Sequence, residues 1–246
     1  MLKALGDGTL FGESFGEGPV RVIWLHGWAR RGQDFAVAAR ELAERGIASL
    51  AIDLPGFGAS PAPAHAGGAR YYADLVAPAL PEDGGLVVVG HSLGGRVATV
   101  LAAAHPEHFC EVILVGAPLL RGAPGRPHWR YRLVRALARR RLLSPARLEA
   151  ARQRFGSPDY RAASGVMRDV LVTMVAESYE DELARLAVPV HLLWGANDTE
   201  SRVDVAQRAL TMVRAPARLT VLEGVSHLVP TESPEALVRA VLEALA

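Results

Sequence analysis

The chain lacks the features typical of a membrane-spanning, nucleic-acid-binding or disulfide-stabilised protein. Its single cysteine, Cys110, cannot form a disulfide within the chain and leaves the redox compartment open. No apolar run approaches the roughly 18 residues that a membrane-spanning helix needs. The formal net charge of +1 gives no general attraction to nucleic acid or to an anionic lipid surface.

The first residues, MLKALGDGTLFGESFGEGP, contain no apolar core of the kind that a secretory signal has, and glycines interrupt them. We therefore expect a soluble, cytoplasmic protein with no nucleic-acid partner and no stable membrane association. The sequence leaves the oligomeric state open.

Apolar strands alternate with helices along most of the chain, and half of its 246 residues are hydrophobic. The strands are predicted at Val20–Gly27, Ile47–Gly58, Leu86–Val89, Val112–Val115, Val188–Gly195 and Arg218–Gly224, and the helices at Phe35–Gly46, Tyr71–Leu80, Leu93–Ala104, Val203–Val213 and Pro234–Leu245. Continuously apolar strands with intervening helices predict an α/β fold whose parallel sheet is covered on both faces. The alternation stops between residues 117 and 185, which predicts a helical cap inserted into a core of residues 1–116 and 186–246.

The segment GHSLG at residues 90–94 places Ser92 between a buried strand and an alanine-rich helix. A sharp strand-to-helix turn needs small neighbours, and it aims the free amides of the helix start at the serine. This pattern indicates a nucleophile, although a glycine-rich turn with an idle serine would look the same.

A neutral hydroxyl is a poor nucleophile and needs a base, which in turn needs an orienting carboxylate. In proteins with this turn the acid follows the serine and the histidine comes last. Asp198 and His227 fit that order, because each follows a predicted strand at the edge where sites of open α/β sheets collect. An Asx turn and a loop histidine are the structural alternatives. Asp204 and Glu200 are the reserve acids, whereas Glu223 is interpreted as a surface charge at a strand end.

Backbone amides are needed to hold the oxyanion of a tetrahedral intermediate. The amide of Leu93, next after the serine, is one candidate, and that of Trp28 in the segment HGW is the other. Gly27 would let this backbone approach closely. The Trp28 side chain either lines the pocket or covers the core, and His26 is interpreted as structural.

These motifs together resemble the α/β-hydrolase fold superfamily, and specifically its small esterase-like and lyase-like members. The matching segments are HGW at 26–28, DLPGFGAS at 53–60, GHSLGG at 90–95, WGANDT at 194–199 and GVSHL at 224–228. The resemblance implies a mostly parallel sheet of about eight strands, a helical cap between the sixth and seventh strands, and a Ser92–Asp198–His227 triad. Epoxide hydrolases and haloalkane dehalogenases are similar too, but they use an aspartate nucleophile where this chain has serine. The resemblance gives Asp53 no catalytic role.

The predicted cap is rich in arginine, and its helical spacing allows a basic face formed by Arg132, Arg135, Arg139 and Arg140. Such a face would attract an acidic substrate, or it is simply a solvated surface. Contact with an anionic membrane or with nucleic acid is a further alternative, which the balanced overall charge disfavours. Trp28, Arg96, Trp129, Met167 and Met174 are the candidate substrate-binding residues. Plain packing is the alternative for Trp129, Met167 and Met174, and an ordinary salt bridge is the alternative for Arg96.

The sequence therefore predicts a serine hydrolase that cleaves a carboxylic ester through an acyl-enzyme, with a small-molecule ester as substrate and no metal or organic cofactor. Thioesters, activated amides and carbon–carbon bonds beside a carbonyl remain open. The alternatives are a serine-dependent C–C hydrolase or lyase acting on a carboxylated substrate, and a slow-turnover ligand receptor on the same fold.

Overall fold

The computed structural model describes residues 2–121 and 157–246, and these build an eight-stranded sheet. The strands are β1 (Leu2–Leu5), β2 (Leu10–Phe15), β3 (Val20–Leu25), β4 (Ala48–Asp53), β5 (Leu86–His91), β6 (Phe109–Val115), β7 (Val190–Gly195) and β8 (Ala217–Leu222). Their order across the sheet is β1-β2-β4-β3-β5-β6-β7-β8. The six strands β3 to β8 are parallel, whereas β2 pairs antiparallel with both β1 and β4. The predicted mostly parallel α/β sheet is confirmed.

Helices follow the parallel strands and cover the sheet. They are α1 (Ala36–Glu44), α2 (Ala69–Val76), α3 (Leu93–Ala104), α4 (Pro158–Ala162), α5 (Gly165–Ala176), α6 (Glu180–Arg185), α7 (Val203–Leu210), α8 (Val229–Glu232) and α9 (Pro234–Ala244). Two apolar clusters result, one on each face of the sheet. In β3, for example, Ile23 and Leu25 belong to one cluster and Val22 and Trp24 to the other. This two-sided burial explains why the central strands are continuously apolar.

The two antiparallel strands at the sheet edge, β1 and β2, are absent from the strands predicted above. Their sequences, LKAL and LFGESF, mix charged, glycine and apolar residues, and most positions of β1 are exposed. An edge strand needs little burial, so its apolar pattern is weak. Pairing with β4, in which Phe11 lies opposite Asp53, gives β2 its place in the sheet.

The segment between β6 and β7 holds α4, α5 and α6, where the sequence predicts a helical cap. Residues 122–156 of that segment, with Trp129 and the predicted basic face, lie outside the described residues. The division of the chain at 117 and 185 stays a prediction.

Candidate active site

Ser92 joins β5 to α3 in a backbone conformation that side chains rarely adopt. Its φ and ψ are 51° and −110°, and only Ala29 shares a positive φ among the described non-glycine residues. The amide of Ser92 donates to the carbonyl of Val115 on the neighbouring strand at 2.9 Å, which holds the turn in place. Backbone strain of this kind persists only where surrounding contacts enforce it, and it is characteristic of functional sites.

Glycines on either side of Ser92 let α3 start directly against the sheet. An added Cβ at Gly90 would overlap the backbone of Gly94, and one at Gly94 would overlap the carbonyl of Leu25. The amide of Gly94 also donates to the carbonyl of His26 at 3.0 Å. These close approaches account for the glycines that surround the serine in the sequence.

Asp198 and His227 form a buried, hydrogen-bonded pair. Nδ1 of His227 lies 2.7 Å from Oδ2 of Asp198, and it is the donor because a carboxylate only accepts. Oδ1 of Asp198 accepts the amides of Glu200 and Ser201, each at 2.8 Å. Asp198 is thus both the residue of an Asx turn and the partner of the histidine. The two roles that the sequence left as alternatives are filled by different oxygens of one carboxylate.

The carboxyl ends of neighbouring strands bring this pair towards Ser92. Asp198 follows β7 and His227 follows β8. Gly116, just after β6, lies close to both of their side chains. A Cβ at Gly116 would lie 3.1 Å from Oδ2 of Asp198 and 3.2 Å from Nδ1 of His227. The serine itself is bonded to Val115, the residue before Gly116. The parallel register of these strands therefore gathers residues that are far apart in sequence.

Of the other acids that the sequence offered, Asp204 and Glu223 lie away from His227, whereas Glu200 lies beside it. Asp204 pairs with Arg202 at 3.0 Å, and Glu223 is exposed. Glu200 approaches the histidine from its other side, with Oε2 at 3.4 Å from Nε2 of His227.

The surroundings of His227 favour its protonated form. Burial lowers the pKa of His227, but the hydrogen bond and charge of Asp198, together with Glu200 and Glu232, outweigh it and hold the pKa above the ordinary value. In the neutral ring Nδ1 carries the proton for Asp198, so Nε2 presents a lone pair. That is the arrangement a general base requires.

His91 is a site residue that the sequence analysis did not single out. Its Nε2 donates to the carbonyl of His227 at 2.8 Å, and the two rings lie 4.9 Å apart between centroids. Burial, followed by the charge of His227, lowers the pKa of His91 to about 3, so the ring is neutral. Its place beside Ser92 in the GHSLG segment was the available signal, but the motif leaves that position variable.

The HGW segment lies beside the serine. A Cβ at Gly27 would come within 2.9 Å of Nδ1 of His91 and 3.4 Å of Cβ of Ser92, so only glycine lets this loop approach so closely. Among the described residues, no hydrogen bond uses the amides of Trp28 or Leu93. Both amides are therefore available donors within the described part of the chain.

His26 holds this loop through both of its ring nitrogens. Nδ1 donates to the carbonyl of Gly27 at 2.7 Å, and Nε2 accepts the amide of Leu54 at 2.9 Å. Burial lowers the pKa of His26, although the bond to Gly27 acts against this. Both nitrogens are engaged with backbone, so neither is free to act as a second base.

The candidate substrate-binding residues occupy different surroundings. The Trp28 ring meets Phe57 edge-on with centroids 5.0 Å apart, and Phe57 belongs to the DLPGFGAS loop. Asp53 holds that loop by accepting the amides of Gly32 and Ala59, each at 2.8 Å. Met167 on α5 packs against Gly56 of the same loop, and its sulfur lies 4.0 Å from the hydroxyl of Tyr72.

Arg96 and Met174 lie where α3 meets the end of α5. Nη1 of Arg96 donates to the carbonyl of Met174 at 2.6 Å, and burial lowers the pKa of the guanidinium. The Met174 side chain is 1% exposed and packs in the apolar cluster around α3. Among the described residues, the hydrogen-bond partner of the Arg96 guanidinium is thus a backbone carbonyl and not a carboxylate.

Residues 2–121 and 157–246 contain no group of three or more His, Cys, Asp or Glu side chains arranged to hold a metal ion. Within the same ranges, every helix is too short or too polar to cross a bilayer.

Comparison with known proteins agrees with this architecture. A sequence profile described as "Alpha/beta hydrolase family" matches residues 22–240, which include all the site residues above. The chain belongs to this family. Two solved esterases share the fold over nearly the full length. For the esterase from Exiguobacterium antarcticum the TM-score is 0.74 at 20% identity, and the match covers 99% of this chain and 98% of that one. For the esterase from Thermogutta terrifontis the TM-score is 0.72 at 21% identity, and the match covers 100% of this chain and 97% of that one. At these identities the likeness concerns the fold of the hydrolase family and not the substrate.

Curated relatives match a shorter region of the chain. A pimeloyl-[acyl-carrier protein] methyl ester esterase of Chromobacterium violaceum is 45% identical over 109 residues, which are 44% of this chain and 40% of that protein. The lipase LipV of Mycobacterium tuberculosis is 39% identical over 104 residues, or 40% and 37% of the two chains. The chain thus matches less than half the length of these relatives.

Proposed function

We propose that this protein is a serine hydrolase that cleaves a carboxylic ester. The observation that carries the proposal is the buried Asp198–His227 pair, which follows β7 and β8. Two further observations support Ser92 as its partner: Ser92 follows β5 in a strained turn, and the residue before it, His91, bonds the carbonyl of His227. The names of the relatives, an acyl-carrier-protein methyl ester esterase and a lipase, favour an ester over a carbon–carbon bond.

In the proposed reaction, Oγ of Ser92 attacks the ester carbonyl while Nε2 of His227 takes its proton. The carbonyl oxygen becomes an oxyanion, which the amides of Trp28 and Leu93 stabilise. The tetrahedral intermediate collapses, the carbon–oxygen bond to the alcohol breaks, and the alcohol leaves with the proton held on Nε2.

Water completes the cycle. His227 removes a proton from a water molecule, which attacks the acyl-serine, and the second intermediate releases the carboxylic acid and restores the Ser92 hydroxyl. Asp198 keeps the proton on Nδ1 throughout and stabilises the imidazolium formed in each half-reaction.

The experiment that tests this proposal is fluorophosphonate labelling with peptide mapping, followed by p-nitrophenyl esters of graded acyl length and a methyl ester of an acyl-carrier-protein conjugate. The Ser92→Ala variant runs beside the wild type. We expect labelling at Ser92 and turnover that disappears in the variant while its circular dichroism is unchanged.

Two results would contradict the ester hydrolase. Full activity in Ser92→Ala would overturn the mechanism. Labelling at Ser92 without ester turnover would instead favour the C–C hydrolase or the ligand receptor, which turnover of a vinylogous diketone and a ligand-dependent shift of Tm would then separate.

A further inference from the structure

A second carboxylate, that of Glu200, lies at the nitrogen of His227 that faces away from Asp198. Its Oε2 is 3.4 Å from Nε2, and the side chain is 69% exposed. The backbone of Glu200 is anchored, because its amide donates to Oδ1 of Asp198. The carboxylate is therefore a solvent-facing charge carried on the same turn that holds the histidine's partner.

The interaction between the Glu200 carboxylate and Nε2 of His227 is unfavourable when the ring is neutral and favourable when the ring is protonated. When the ring is neutral, Nε2 carries a lone pair and the carboxylate has no hydrogen to offer it. When Nε2 is protonated, the same distance is that of an ion pair. Glu200 therefore stabilises the imidazolium selectively.

The remaining charged and titratable groups around His227 lie elsewhere on the ring or on other elements. Asp198 bonds Nδ1, and His91 lies against the ring as a neutral group. Glu232 on α8 adds a negative charge, but its carboxylate is held by the amide and hydroxyl of Ser226. Within the described part of the chain, no carboxylate other than that of Glu200 lies within ion-pair distance of Nε2.

In the proposed function, which this step assumes, the leaving group is the alcohol part of the ester. The position of Glu200 constrains the charge of that group. Nε2 must come within about 3 Å of the leaving alcohol oxygen to protonate it. Added to the 3.4 Å between Nε2 and Glu200, this puts the carboxylate within about 6.5 Å of that oxygen. A charge carried a few bonds into the alcohol part is then close enough to interact with Glu200.

We propose that Glu200 determines the charge that the site accepts in the alcohol part of its ester: cationic leaving groups are favoured and anionic ones are disfavoured relative to neutral ones. Repulsion of an anionic alcohol part raises the barrier for its release. A cationic alcohol part is attracted, and a neutral one is unaffected. Because the carboxylate is exposed, this selection is screened by salt.

The test compares three aryl esters that share the acyl group preferred in the ester panel. Their alcohol parts are 3-carbamoylphenol (neutral), 3-carboxyphenol (anionic) and 3-(trimethylammonio)phenol (cationic). Glu200→Gln keeps the size of the side chain and removes its charge. Asp204→Asn is the matched control, because Asp204 is an exposed carboxylate four residues further on that pairs with Arg202.

We expect the kcat/KM ratio of the anionic to the neutral ester to rise about three- to thirtyfold in Glu200→Gln at low ionic strength. The ratio of the cationic to the neutral ester should fall, and about 0.5 M salt should produce part of both changes in the wild type. Asp204→Asn should leave both ratios unchanged. Equal ratios in Glu200→Gln and the wild type would overturn the inference.

A second readout does not depend on turnover. NMR titration of the His227 ring in Ser92→Ala and in Ser92→Ala combined with Glu200→Gln should show a lower pKa in the double variant, because the Glu200 charge that stabilises the protonated ring is gone. An unchanged pKa would contradict the role of Glu200 whatever the substrate. Turnover that survives in Ser92→Ala would instead contradict the proposed function, so the two failures are distinguishable.

Discussion

The ring of His91 lies against the ring of His227, and its Nε2 donates to the main-chain carbonyl of that residue at 2.8 Å. The bond joins the end of β5, next to Ser92, to the loop after β8, across 136 residues of sequence. It is a direct link between the two segments that the proposed mechanism requires to be aligned for proton transfer.

Replacing His91 should therefore misalign the site. In His91→Leu the buried carbonyl of His227 loses its donor, which should cost about 1–3 kcal/mol of unfolding free energy and lower kcat about tenfold or more. His91→Gln places an amide donor near the position of Nε2 and should recover much of both losses. Urea unfolding and steady-state kinetics of the two variants measure this, and equal behaviour of Leu and Gln would show that the hydrogen bond is unimportant.

Because the two oxygens of Asp198 have different partners, we expect one substitution at this residue to reduce activity while the fold persists. Asp198→Asn keeps an oxygen acceptor for the amides of Glu200 and Ser201 but removes the charge that orients His227 and stabilises the imidazolium. We expect the fold to persist while kcat falls by about 10³–10⁴. Asp204→Asn, the control, should retain wild-type kcat. Comparable losses in both variants would refute the assignment of Asp198.

The strained turn at Ser92 predicts that glycine at this position gives a more stable protein than alanine does. At a φ of 51° and ψ of −110°, glycine is more favourable than alanine. Comparing Ser92→Gly with Ser92→Ala isolates the backbone effect, since both lack the side-chain hydroxyl. We expect the glycine variant to be about 1 kcal/mol more stable than the alanine variant. A glycine variant that is less stable would show that the turn carries no such strain.

Buried neutral histidines predict acid lability. Burial lowers the pKa of His91 to about 3 and that of His191 to about 4, whereas the unfolded values are near 6.5. The stability that each contributes is complete above pH 6.5 and is lost as pH falls through that value towards the folded pKa, by roughly 1.4 kcal/mol per pH unit for one fully buried group. His227, with a raised pKa, opposes this by adding stability below pH 6.5.

Chemical denaturation between pH 7.5 and pH 4.5 measures this linkage. The unfolding free energy should fall with pH in the wild type and fall less steeply in His191→Leu, in which one buried histidine is removed. His65→Gln, at an exposed position, serves as the control and should keep the wild-type slope. An identical slope in His191→Leu would contradict the contribution of that residue.

The central strands were predictable because both of their faces are buried, so that runs such as LVVV at residues 86–89 are apolar throughout. The edge strands β1 and β2 were not predicted, because an exposed edge tolerates lysine, glutamate and glycine. At the site, the roles of Glu200 and His91 were likewise not predictable from the sequence. Each was visible as a residue near a motif, but its contact with His227 depends on how the loops after β5, β7 and β8 pack together.

The sequence by itself determined the order of the six parallel strands and the positions of Ser92, Asp198 and His227 at strand ends, because local apolar patterns and turn residues encode them. The tertiary structure decided which acid bonds Nδ1 of His227, that Glu200 lies at Nε2, and that His91 joins two distant loops. These relationships arise from the parallel register of β5 to β8, which places the ends of four separate strands at one edge of the sheet. No local pattern encodes a distance between residues that meet only when the sheet forms.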